Sequence, residues 1–182
     1  ASGSGSGGET GTYQIGAKVL SSSSAKNISD DAIGHKAVRA FTVGQTVEGE
    51  LGLDGGFASG SGDVDFYKFV APSNGKLTIT TSVLEAFSAD THLRIFDSKG
   101  VELAFNDNIS EDNRASTATV SVLRGKTYFI DINGAGDNPR AYNPKLANSG
   151  APGSTGDYQF TSTFDYPPTL TTVATLATAD QG

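Results

Sequence analysis

The chain of 182 residues holds 13 Lys and Arg against 20 Asp and Glu, a formal net charge of -7, and has no Cys, Met or Trp. That length accommodates one domain with a real core, together with flanking pieces. An acidic chain with no Lys/Arg cluster along its sequence argues against nucleic acid and anionic lipid, which are gripped by basic patches, and without cysteine there is no disulfide framework, thiolate metal site or cysteine nucleophile.

Twenty-three glycines among many Ser and Thr, with few helix-period segments, point to an all-β chain with frequent turns. No apolar run approaches the ~20 residues that span a bilayer, so membrane insertion is not expected. Ala1–Gly8 lacks the basic and apolar regions of a signal peptide.

In chain order, residues 1–20 contain "SGSGGETGTYQI" (4–15), which reappears as "SGAPGSTGDYQF" (149–160). Ser4/Ser149, Gly5/Gly150, Gly8/Gly153, Thr10/Thr155, Gly11/Gly156, Tyr13/Tyr158 and Gln14/Gln159 are identical. The first copy reads as the closing strand of a preceding repeat, or as an edge strand of this domain. Residues 21–36, Ser-rich and then "AKNISDD", read as a linker, and "DDAIGHKAVRAF" has room for a helical turn.

Residues 37–165 carry short alternating runs between turn signals. "VEGEL" (47–51) leads into a Gly/Ser/Asp loop, then come "VDFYKFVA" (64–71), the turn "PSNG" and "KLTITTSV" (76–83). In "THLRIFD" (91–97), Leu93 and Ile95 share one face and Arg94 and Phe96 the other. The turn "DSKG" and the run "VELAFND" (101–107) precede a polar loop through Ser116. "TATVSV" (117–122) and "TYFIDING" (127–134) follow, the second with Tyr128, Ile130 and Ile132 opposite Phe129 and Asp131. An irregular stretch, Gly134 to Thr155, precedes the last strand, "DYQFTSTF" (157–164). Some eight or nine strands, each expected to have one apolar and one wet face, predict an antiparallel β-sandwich. Residues 166–182 read as a linker toward a following repeat.

The order of these pieces resembles the bacterial pre-peptidase C-terminal (PPC) domain. The resemblance runs through "VEGEL", "GDVDFYKFVAPSNGKLTI", the hairpin "DTHLRIFDSKGVELAFND", "GKTYFIDI" and "GDYQF", covering Val43 to about Asp165. The hairpin Asp90–Asp107 is its most specific part. Asn108 departs from it, standing where a second Asp often sits, as does the long loop before "GDYQF". The resemblance implies a sandwich with jelly-roll-like connections and a non-catalytic role as a structural, adhesion or assembly unit, stiffened by calcium, of a secreted or cell-surface bacterial protein. Its expected partners are neighbouring copies of the same domain or an extracellular polymer, the second as a targeting module beside a hydrolase such as a protease.

His35 and His92 are the only histidines, and there is no Gly-x-Ser-x-Gly elbow, His-Glu-x-x-His or P-loop, so no catalytic role is expected. Calcium is the candidate cofactor, because it takes six to eight hard oxygen ligands. One acidic group is Asp63 and Asp65, two apart on a strand and hence on one face, where they repel unless a cation or a donor lies between. The resemblance implies that Asp30 and Asp31 join it from the linker, since collagen-binding PPC members draw calcium ligands from the pre-domain linker and the first acidic strand. The other group is Asn106, Asp107, Asn108, Glu111 and Asp112. Neither has EF-hand or β-roll spacing. Of the tyrosines, Tyr67, Tyr128 and Tyr158 sit on strands and are expected to pack, whereas Tyr142, in the Asn/Pro loop, is the best placed for surface contact. Carbohydrate modules commonly lean on flat indole faces, so the absence of tryptophan argues against stacking on sugars.

Overall fold

A computed structural model describes residues 32–34, 38–52, 62–82, 89–136, 138–146 and 149–168. Among these residues nine strands follow in order: β1 (Arg39–Ala40), β2 (Val47–Leu51), β3 (Val64–Val70), β4 (Gly75–Ser82), β5 (Thr91–Asp97), β6 (Glu102–Asn106), β7 (Thr117–Val122), β8 (Thr127–Gly134) and β9 (Gly156–Asp165). They form two sheets, ordered β1-β3-β8-β5-β6 and β2-β9-β4-β7. Every pairing is antiparallel except β1 with β3. Leaving β1 aside, successive strands alternate between sheets as in a jelly roll, save that β5 and β6 form a hairpin inside one sheet. The expected antiparallel sandwich is therefore observed, with its jelly-roll connections. Among the described residues no helix is long and apolar enough to cross a membrane.

The main core lies between the sheets. Tyr67, Phe69, Leu93, Ile95, Ile130 and Ile132 from one sheet meet Leu77, Ile79, Val120, Tyr158 and Phe160 from the other, in the two-residue period of the sequence. Gly49 of β2 is forced by this packing: a Cβ there would run into the Tyr158 ring.

The prediction of one wet face per strand fails for β3, β5 and β8, which are buried on both faces over most of their length. Outside the five-stranded sheet lies a second cluster of Val64, Phe66, Phe96, Phe129 and Tyr142, with Ile33 and Val38 packed against it. The chain after β8 folds back over this face. Asn133 Nδ2 donates to Pro139 O (2.8 Å), and Ile33 N donates to Pro144 O (2.8 Å). Tyr142 is thus buried, not a surface contact as expected, because its loop is the lid of the second core.

Two expectations meet the structure only partly. In the stretch with room for a helical turn, Arg39–Ala40 instead run extended as a short parallel edge to β3. The repeated phrase at 4–15 lies outside the described residues, as do residues 1–31 and 169–182.

Candidate functional site

The acidic pair at the start of β3 does share a face, the one turned toward the other sheet, and there donors lie between. Asp63 Oδ2 accepts from Gly52 N at 2.5 Å. Asp65 is fully buried and accepts from the Tyr158 hydroxyl, which sits 2.6 Å from the Tyr67 hydroxyl. Burial, with the Asp65 charge adding to it, holds both phenols well above the ordinary tyrosine range. The second acidic set spreads along a surface loop. Asn106 Oδ1 accepts from Thr117 N (2.9 Å) and its amide donates to Asn108 O (3.1 Å). Glu111 and Asp112 are exposed at the tip of the Ser110–Asn113 bridge.

Sequence reasoning missed Asp90, which closes on Asp107 from the start of β5. Burial raises its pKa, the Arg114 guanidinium at 3.2 Å opposes this, and the Asp107 charge adds to the rise. Even so, among the described residues no group of three or more His, Asp or Glu side chains converges as metal ligands do. These carboxylates do not by themselves fit the six to eight oxygens of calcium. Asp30 and Asp31 lie outside the described residues.

The outer face of the five-stranded sheet is richer. Its cross-strand rows are Val64–Asn133–His92, Phe66–Asp131–Arg94–Phe105 and Lys68–Phe129–Phe96. In the first, the buried His92 places Nδ1 3.0 Å from Asn133 Oδ1, and burial lowers its pKa. In the second, Arg94 stacks its guanidinium on Phe96 (4.6 Å) and Tyr142 (4.8 Å) and donates from Nε to Glu102 Oε2 at 2.7 Å. Arg140 of the covering loop donates to the other Glu102 oxygen and lies over Phe105 at 4.1 Å. Asp131, fully buried, is 3.9 Å from Arg94 Nη1. Burial pushes its pKa well up, Arg94 opposes the shift and Glu102 reinforces it. These groups tie the covering loop to the sheet.

At the end of the third row the face opens into a hollow of about 600 Å³, lined by Ile33, Gly34, Lys68, Ser98, Lys99, Thr127, Phe129 and Lys145. Three segments bring the lysines there. Lys68 pairs in register with Phe129. Lys99 is held in the β5–β6 turn, where Asp97 Oδ1 accepts from its N–H at 2.8 Å. Lys145 follows an Asn143 side chain that accepts from its N–H at 3.0 Å, and its stem crosses Gly100, where a Cβ would meet it. All three lysines are exposed, and among the described residues none is in an ion pair. One sequence signal pointed here: Lys68 is the lone cation in an otherwise apolar and acidic strand.

No family profile and no curated protein matches this sequence. Solved structures similar to this chain include a pre-peptidase C-terminal domain of collagenase from Bacillus anthracis, 13% identical, covering 69% of this chain and 94% of that one, with a TM-score of 0.43. PliG, a periplasmic inhibitor of g-type lysozyme from Aeromonas hydrophila, is 9% identical, covering 69% and 96%, with a TM-score of 0.40. A CBM35 module from Cellvibrio japonicus Abf62 is 11% identical, covering 79% and 89%, with a TM-score of 0.33.

Proposed function

We propose that the chain is a non-catalytic accessory sandwich of a secreted or cell-surface protein, and that it holds an extracellular polymer. The observation that carries this reading is the open hollow on the outer face of the five-stranded sheet, where three lysines and apolar surface meet. Concave surface with a few convergent polar groups is the usual form of a ligand site. His92, the histidine among the described residues, is buried against an amide, which favours support over proton transfer. The test is retention of the chain on insoluble or immobilised polymers: acidic polysaccharide, neutral polysaccharide and collagen. Retention on one of them is expected, and passage through all of them refutes the proposal.

A second reading, assembly between copies, is favoured by one edge. Strand β6 borders its sheet, with Val101 (54% exposed) just before it and Leu103 (44%) and Phe105 (52%) along it exposed, and an apolar edge of this kind is a template for another strand. Concentration-dependent light scattering that disappears in Leu103→Lys supports it, and a monomer at every concentration refutes it. Calcium belongs to the proposal only as an ion completed by Asp30 and Asp31 beside Asp63, where it would neutralise clustered carboxylates and tie the preceding segment to the sandwich.

A further inference from the structure

We propose that the hollow formed by Lys68, Lys99 and Lys145 takes an anionic polysaccharide, one whose sugars carry carboxylate or sulfate groups. This rests on the polymer-binding reading above and names the chemistry of its ligand.

The chain is acidic overall, yet among the described residues none that lines the hollow is acidic and its three ammonium groups are in no ion pair. Three like charges gathered from β3, the β5–β6 turn and the loop after β8 repel one another. An anion between them turns that cost into attraction. Lysine, unlike arginine, offers a mobile point charge with no fixed fork, which suits charges repeating along a flexible polymer.

The remaining lining narrows the class. Half-buried Ile33, with the small part of Phe129 that stays exposed, gives a limited apolar floor, and Ser98 and Thr127 add hydroxyls beside it, a combination that offers a sugar ring apolar contact and hydrogen-bond partners without a stacking platform. The volume lies within the ~300–1,000 Å³ of small-molecule sites, and the hollow opens to the surface. A peptide finds no strand to pair with here, because β3 and β8 are both interior strands of their sheet. Single-stranded nucleic acid needs exposed aromatic platforms, and Phe129 is 6% exposed.

The test is affinity electrophoresis of the full chain in native gels containing one polymer each: polygalacturonate, dextran sulfate, unsubstituted dextran, poly-glutamate or a single-stranded RNA. Retardation by polygalacturonate, by dextran sulfate or by both is expected, and comparing those two gels tells which anion is preferred. The Lys68→Gln, Lys99→Gln, Lys145→Gln variant should weaken binding by roughly 100-fold, on the basis of about tenfold for each ~1.4 kcal/mol of binding free energy removed. A charge-matched control, Lys76→Gln, Arg114→Gln, Arg124→Gln, places the same change elsewhere on exposed positions and should weaken it by less than about threefold.

Equal weakening in the two triple variants overturns the site, leaving only net-charge attraction. Retardation by poly-glutamate or RNA as strong as by the polysaccharides overturns the ligand class. Retention on neutral polymer or collagen, unchanged in the lysine variant, overturns this inference while the polymer-binding reading stands. No retention on any polymer overturns both. Coincident melting curves confirm that the variants fold, and if the triple variant melts early, Lys68→Gln and Lys99→Gln singly must each weaken binding about three- to tenfold.

Discussion

Replacing Tyr158 by Phe removes one oxygen from the closing strand and leaves the ring packing in place. That oxygen lies between Asp65 and the Tyr67 hydroxyl, and all three side chains are buried. A hydrogen bond to a charged acceptor contributes about 1.5–3 kcal/mol, and an orphaned buried hydroxyl costs about 1 more. The ring keeps its place in the main core, since Phe and Tyr differ only at the tip. The expected destabilisation is therefore about 2.5–4 kcal/mol, read as a fall in Tm of roughly 7–12 °C for a domain of this size. Tyr67→Phe removes a single neutral hydrogen bond and should cost about 1 kcal/mol. Thermal unfolding followed by circular dichroism measures both. If Tyr158→Phe melts within about 2 °C of the wild type, or Tyr67→Phe is the more damaging, the hydroxyl does not anchor Asp65 and the reasoning fails. Alkaline titration gives a second reading. Burial raises both phenols above their unfolded value, so their contribution is intact below pH ~10 and is lost as the pH climbs beyond it. The tyrosinate absorbance of these two rings should appear only with unfolding.

Gly49→Ala places a methyl against the Tyr158 ring and should cost about 1–3 kcal/mol in urea unfolding, whereas the double variant with Tyr158→Ala should show strong positive coupling. His92 is buried with a lowered pKa, so its contribution is present above pH ~6.5 and is lost as the pH falls through the folded value. His92→Gln should flatten the acid limb of stability measured between pH 7 and 5. An unchanged limb would locate that pH dependence elsewhere. With calcium at 100 times its dissociation constant, melting should rise by the equivalent of about 2.7 kcal/mol and return with chelator. An identical midpoint in both, or a rise that survives Asp30→Asn with Asp31→Asn, removes calcium from the proposal.

The strands were legible because alternation in this chain is clean. "VEGEL" is β2 to the residue, and "THLRIFD" and "TATVSV" are β5 and β7. Strand β1 was not legible, since two residues held by a parallel neighbour leave no period to detect. The acidic pair Asp63 and Asp65 was correctly placed on one face. Spacing alone did not tell whether a cation or a donor would meet it, because Gly52 and Tyr158 arrive from the other sheet.

Composition and alternation by themselves determined an all-β sandwich, its turns and the apolar set between its sheets, because a two-residue period is a local property of the chain. Only the tertiary structure decided which outer face stays wet. Arg94, Phe96, Asp131 and Tyr142 read as surface residues until the chain after β8 folds over them. It also decided where the cations gather. No basic cluster exists along the sequence, yet Lys68, Lys99 and Lys145 meet around one hollow. Charge density is a property of space, and positions 68, 99 and 145 become neighbours only when a turn, a strand and a covering loop converge on the same end of one sheet.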